Sequence, residues 1–287
     1  MSDISIIECP RDAMQGWTRP ILTEAKIRYI NALLRVGFSV IDFGSFVSPR
    51  AIPQMADTAE VLAGLQLENT RSSLLAIVAN IKGAEQASEQ GAIRYMGYPF
   101  SVSETFQRRN TNSGMAESLD TVRQMNQLAQ SGGKELVVYI SMGFGNPYGD
   151  AYSLSMVLEW VDKIASTGVG IISMADTVGL ATASQVGDAM SAVINRFPEI
   201  ITGVHLHATP EGRADKLQAA WDAGCKRFDS AMAGIGGCPM AGNDLVGNMD
   251  TQFMVNFFEH KGISTGLDLQ QLSVCASMAT KVFADQE

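Results

Sequence analysis

Three histidines occur in the whole chain, and two of them, His205 and His207, flank a single leucine. In an extended segment residues i and i+2 point to one face, so the two imidazoles can converge on one metal ion. Taken alone, a His-x-His pair is equally compatible with two surface or core histidines. Acids that could complete a site stand in Glu8-Cys9-Pro10-Arg11-Asp12, at Asp42 and in Ala175-Asp176-Thr177. Asp12 offers a hard oxygen, and two imidazoles plus one carboxylate suit Mg2+, Mn2+ or Zn2+. Arg11 is either half of a surface ion pair in a turn or a fork that polarises a substrate oxygen beside the metal. The stretch Gly234-Ile235-Gly236-Gly237-Cys238-Pro239 places one thiol in a loop whose glycines permit positive φ and lid motion, although a lone cysteine there is more often incidental.

Elements of a definite order must carry these groups. Short β-branched runs at Ile4–Cys9, Phe38–Gly44, Ser73–Ala79, Ala92–Gly97, Glu135–Met142, Gly170–Ala175, Ile201–His207 and Arg227–Ala233 read as strands. Helical patterns fall at Thr23–Val36, Val47–Gly64, Ile81–Gln90, Met115–Gln130, Ser153–Thr167, Ala183–Phe197 and Pro210–Ala223. Repeated strand–helix units imply a parallel sheet, and this many units close naturally into a (β/α)8 TIM barrel, with an open doubly wound sheet as the alternative. After the last strand come the Gly-rich loop and helical stretches near Thr251–His260 and Asp268–Ala284, read as a C-terminal helical extension of one catalytic domain spanning 1–287. In such a barrel, reactive groups sit at the C-terminal ends of strands. That rule selects Asp12, Asp42, Asp176, His205 and His207.

Composition narrows the class. Of 287 residues 46% are hydrophobic and 18% charged, which excludes disordered and fibrous chains. Lys and Arg number 21 against 30 Asp and Glu, a net charge of −9, which argues against nucleic acid as a partner. The four cysteines form no CxxC pair, and no apolar run reaches the ~18 residues of a membrane span, so a soluble cytoplasmic protein is expected.

Several segments together resemble 3-hydroxy-3-methylglutaryl-CoA lyase and the wider family of metal-dependent TIM-barrel lyases and acyltransferases, over nearly the whole chain. Pro10-Arg11-Asp12-Ala13-Met14-Gln15 resembles the lyases' PRDGLQ, and SFVSPRAIPQMAD from Ser45 to Asp57 resembles their SFVSPKWVPQM. ESLDTV, SMADTVGLAT, GVHLH, and GIGGCP followed by Gly247-Asn248 are further matches. The resemblance implies that Asp12, His205, His207 and Asn248 bind a divalent cation, with Asn243 competing for the last place. It implies that Arg11 positions a substrate oxygen, that Cys238 transfers a proton, and that Asp42 or Asp176 serves as base or holds polar groups. Gln15 falls within the first motif and is expected to meet substrate.

The chain also departs from that pattern. Gly16-Trp17 replaces an Asn-Glu pair, Thr18 replaces a lysine with Arg19 adjacent, Asp42 replaces a glutamate, Ile7 stands at an acidic position, and Ala208 replaces the Asp of HxHDT. Trp17 either shapes the acyl pocket at the barrel mouth or packs beneath the loop. The expected activity is metal-dependent carbon–carbon cleavage of a 3-hydroxy acyl thioester by a homodimer, the substrate altered by these replacements. The alternatives are an isopropylmalate synthase-like condensation of an acyl-CoA with a 2-oxo acid, and a non-catalytic binding protein on a lyase fold.

Overall fold

The computed structural model describes residues 2–237 and 246–284. Eight strands, β1 (Ser5–Glu8), β2 (Val40–Ser45), β3 (Ser73–Ile77), β4 (Ile93–Ser101), β5 (Glu135–Ser141), β6 (Ile171–Ala175), β7 (Ile201–His205) and β8 (Arg227–Ser230), pair in chain order. Every pair is parallel, and β1 pairs with β8, Ile7 opposite Asp229, so the sheet closes into a barrel rather than ending at two edges. The strands are buried on both faces, all six residues of β2 among them. That is why they read as continuous apolar runs instead of alternating ones.

The connecting helices begin where polar side chains take up their free N–H groups. Asn80, Ser103, Ser153, Thr182, Asp250 and Asp268 each accept a backbone hydrogen bond from the first turn that follows. Caps of this kind stabilise a helix by about 1 kcal/mol each. The final helix, Leu269–Val282, returns to the first long one, Thr23–Val36: Asp268 N–H donates to the Val36 carbonyl at 3.0 Å, and Phe283 meets the rings of Tyr29 and Trp17 edge-on. The tail is thus an extension that covers the barrel's first helix.

Local differences from the sequence expectation have physical causes. The helix expected over Val47–Gly64 is only Thr58–Ala63, preceded by a single tight turn at Pro53–Met55. Pro49 and Pro53 remove N–H donors and push the residues before them out of helical geometry. Strand β4 continues past Gly97 to Ser101 because β5 offers partners along its whole length. Two short helices, Pro10–Gln15 and Glu104–Thr111, appear where loops were expected. Among the described residues no helix is long and apolar enough to cross a membrane.

The barrel interior is chemically divided. Ile7, Cys9, Leu75, Val137 and Tyr139 belong to a small apolar cluster inside it. Against that cluster lie the charged residues Arg227 and Asp229 of β8 and His205 of β7. The strand period of two places Ile7 and Cys9 inside and turns Glu8 outward, toward Thr251 at the start of the helix Thr251–His260.

Candidate active site and metal centre

Strand β1 delivers the first components. The chain turns from Glu8 into the short helix Pro10–Gln15, with proline at its first position, where a missing N–H costs nothing. Arg11 and Asp12 therefore stand at the C-terminal mouth, both buried. Arg11 grips Asp42 at the end of β2 through Nε at 3.0 Å and Nη2 at 2.5 Å, while its Nη1 reaches Asp12 Oδ1 at 2.8 Å. Gln15 Nε2 donates to the same Asp12 oxygen at 2.8 Å. Asn248 Nδ2 donates to the other Asp12 oxygen at 2.7 Å and to the Ile235 carbonyl at 2.9 Å.

Strand β7 delivers the imidazoles. His205 ends the strand and His207 lies just beyond, their ring centroids 5.1 Å apart. One ligand atom from each of Asp12, His205 and His207 lies within 4.8 Å of the others, the reach of a single ion. The amide comes from a returning segment outside the strands: His207 and Asn248 form an isolated antiparallel bridge, with Ala208 N–H donating to the Gly247 carbonyl and Met249 N–H to the Leu206 carbonyl. Of the two asparagines that competed for this place, Asn248 meets Asp12; Asn243, like Cys238, lies outside the described residues.

Electrostatics prepare these groups for a cation. Burial opposes the charge on Asp12, but Arg11, then His205, His207 and the Asn248 hydrogen bond outweigh it and hold its pKa at about 2. Burial, aided by His205, lowers His207 to about 4, which leaves it neutral with a free lone pair. Burial also works against a proton on His205, yet the contact with Asp229 raises its pKa overall. Among the described residues, His207 Nδ1 and Asn248 Oδ1 are buried and have no hydrogen-bond partner. Two orphaned acceptors beside an ionised carboxylate are what a bound divalent cation would satisfy.

Asp42 differs from Asp12. Burial pushes its pKa up and Arg11 draws it back, and with the charges of Asp12 and Asp229 added it settles at about 6. Both acids, with Arg11, Gln15 and the two histidines, line a cavity of about 540 Å3 that continues outward past Ser48 to Arg109.

Two expected participants stand elsewhere. Asp176 faces away from the cavity: Lys216 Nζ holds one of its oxygens at 2.7 Å and the Ala181 N–H holds the other at 3.1 Å. Because Lys216 also donates to the His207 carbonyl at 2.9 Å, the pair braces the backbone that carries this histidine. Trp17 does not line the cavity; its ring lies edge-on against Phe283, 5.4 Å between centroids. Of the two readings for Trp17, packing is the one realised. Lys216 and Asp229 escaped the sequence reading. Lys216 lies in a helix with no motif around it, but Asp229 lies two residues from Arg227 on a strand and was open to the same alternation argument as the histidines.

Glycine here does more than permit motion. At Gly236, φ is +102°, and an added Cβ would lie 2.6 Å from Asn248 Nδ2 and 2.8 Å from the Asp12 carbonyl oxygen. Only a residue without a side chain lets the loop approach the ligand set this closely.

Barrel and site define a class: a (β/α)8 enzyme whose C-terminal mouth holds a carboxylate–imidazole centre at the head of a deep cavity. The HMGL-like family model matches residues 4–278, and the chain belongs to that family, as a carbon–carbon lyase. The mitochondrial hydroxymethylglutaryl-CoA lyase of Macaca fascicularis is 36% identical over 270 residues, 94% of this chain and 82% of that one. The hydroxymethylglutaryl-CoA lyase of Bacillus subtilis is 34% identical over 263 residues, 92% of this chain and 87% of its own. Among solved structures, an HMG-CoA lyase from Acinetobacter baumannii in complex with coenzyme A and 3-methylmalate superposes with a TM-score of 0.90 at 32% identity, covering 98% of this chain and 91% of that one.

Proposed function

We propose that this chain, as one catalytic domain, cleaves 3-hydroxy-3-methylglutaryl-CoA or a closely related 3-hydroxy acyl thioester, yielding acetyl-CoA and acetoacetate in the first case. The observation that carries the reading is the Asp12, His205, His207 and Asn248 cluster, with its two orphaned acceptors, at the head of a cavity open to solvent. The relatives are lyases for that thioester, and one similar structure holds coenzyme A. A divalent cation, Mg2+ or Mn2+ with Zn2+ as the alternative, would fit these four residues and act as a Lewis acid on the substrate's hydroxyl and adjoining oxygen.

The residues then divide the work. Arg11, fixed by two acids, presents the remaining face of its fork to a substrate oxygen. Asp42 takes the hydroxyl proton: it faces the cavity, and a pKa near 6 suits a base at neutral pH. As the resulting alkoxide becomes a ketone, the bond between the carbinol carbon and the thioester's α-carbon breaks and its electron pair leaves on the thioester fragment. Cys238 is the proposed donor of the proton that this fragment requires. Asp176 is not a base here, since both of its oxygens are engaged away from the cavity.

The position of Trp17 against Phe283 removes the main reason to expect a reduced acyl pocket. The unmodified hydroxymethylglutaryl thioester is therefore the first substrate to test, with the shorter Asp42 as the remaining source of altered preference. Incubation with this thioester and Mg2+ or Mn2+ should give acetyl-CoA and acetoacetate in equal amounts, and a chelator should stop the reaction. Absence of both products in the metal-loaded protein would overturn the reading. A cytoplasmic homodimer completes the proposal, and light scattering of the purified protein tests the dimer.

A further inference from the structure

Strand β8 reads Arg227-Phe228-Asp229-Ser230, and its alternation sends an arginine and an aspartate into a barrel interior that branched apolar residues ordinarily fill. Asp229 is 2% exposed and Arg227 7%. Buried charges persist only when paired and hydrogen-bonded, and these two are. Arg227 Nη1 lies 3.2 Å from Asp229 Oδ1, and Asp229 Oδ2 lies 3.2 Å from His205 Nδ1. Both carboxylate oxygens are committed, one to the guanidinium and one to the imidazole. The arrangement is set by the sheet itself, because His205 and Asp229 are register partners on β7 and β8. Tyr139 meets the His205 ring edge-on from β5, so the imidazole is held on a second side.

His205 is also shared between two possible ligand groups. One is Asp12, His205 and His207; the other, deeper in the barrel, is Cys9, His205 and Asp229, whose ligand atoms likewise lie within 4.8 Å of one another. A ring whose Nδ1–H is given to Asp229 has only Nε2 left as a lone-pair donor. A guanidinium against Asp229 meanwhile sets a positive charge beside any cation that would enter the deeper group.

Building on the metal centre proposed above, we propose that Asp229, clamped by Arg227, is a positioning residue that fixes the Nδ1–H tautomer of His205 and directs the cation to Asp12 and His207 instead of Cys9. Carboxylate partners of metal-bound histidines act in this way generally, and their loss weakens metal affinity by about 10–100-fold.

The test needs no thioester. With three histidines in the chain, ring nitrogen NMR of histidine-labelled, Mg2+-loaded protein is assigned using His260→Gln and His205→Ala. His205 should show a protonated Nδ1; an unprotonated Nδ1 in the parent protein overturns the proposal without any Asp229 variant. Calorimetry on folded Asp229→Ala should show Mn2+ affinity about 10–100-fold weaker, with Asp229→Asn less affected because its amide oxygen can accept the same hydrogen bond. Asp229→Ala with the parent's Mn2+ affinity also overturns it. Arg227→Met should acquire a thiolate–cadmium absorption band on Cd2+ addition that Arg227→Met/Cys9→Ser lacks, and absence of that difference overturns the steering by Arg227. Failure to cleave hydroxymethylglutaryl-CoA, with these results intact, would count against the lyase reading alone.

Discussion

At the scale of residues, the centre depends on a few atoms in opposite electrostatic states. His207 is neutral and unpartnered at Nδ1, so its removal deletes a ligand without breaking a hydrogen bond at that atom. Folded His207→Ala should bind Mn2+ at least ~10–100-fold more weakly than the parent, the range for losing even an outer-sphere partner, read by calorimetry. Asp42 makes a separate prediction. As a base it works only when ionised, so kcat/KM should fall as pH drops below its value of about 6. Asp42→Asn should lose that acid limb and lower kcat by about 10²–10⁴-fold, measured as product formation against pH. The His-x-His pair and Asp12 were legible because residue type and strand period suffice to suggest them. The Arg11–Asp42 grip was not, because Arg11 lies in the short helix after β1 and Asp42 on β2, 31 residues apart in sequence, and only the pairing of β1 with β2 brings them together. Asp176 misled for the opposite reason: its place after β6 was visible, but the lysine that turns it away was not.

At the scale of elements, β1 shows what a two-residue period can separate. Ile7 faces the barrel interior, while its neighbour Glu8 is buried outside it, accepting hydrogen bonds from Met232 N–H at 3.0 Å and the Thr251 hydroxyl at 2.6 Å. Burial, only partly offset by those bonds, raises Glu8 to about 8. A carboxyl whose pKa is higher folded than unfolded binds its proton more tightly in the native state. Its contribution is fully present below the unfolded value of about 4.5 and is lost as pH rises to about 8. Across that window stability should fall with a slope approaching 1.4 kcal/mol per pH unit from this group, and Glu8→Gln should flatten it in urea titrations at several pH values. Helix boundaries were readable wherever a cap and an amphipathic stripe coincided, as at Ala183–Arg196 behind Thr182. They were misread over Val47–Gly64, where apolar spacing looked helical but two prolines prevented the first turns.

At the scale of the whole molecule, closure and tail were anticipated in different degrees. Alternating strands and helices indicated the barrel, but an open sheet stayed possible on counting alone; the pairing of β1 with β8 decides between them. The final helical stretch was visible as an extension, though its docking partner was not, since the contacts join opposite ends of the chain. Phe283 is 6% exposed and joins the tail to Tyr29 and Trp17. Phe283→Ala should cost about 3 kcal/mol of unfolding free energy and leave Mn2+ affinity at the mouth unchanged. Trp17→Ala should likewise lower the thermal midpoint while keeping KM for the thioester, which separates a packing tryptophan from one that touches substrate.

The bridge between His207 and Asn248 has a consequence for how this site tolerates change. Asn248 is anchored on both flanks, by Gly247 to Ala208 and by Met249 to Leu206, and its side chain holds the Ile235 carbonyl. Its position is therefore dictated by these anchors and not by the number of residues counted from Cys238. Because those anchors hold Asn248, inserting one glycine after Cys238 should leave Mn2+ affinity, read by calorimetry, at the parent's value. A ligand held by main-chain bonds on both flanks keeps its register when the spacing along the sequence changes.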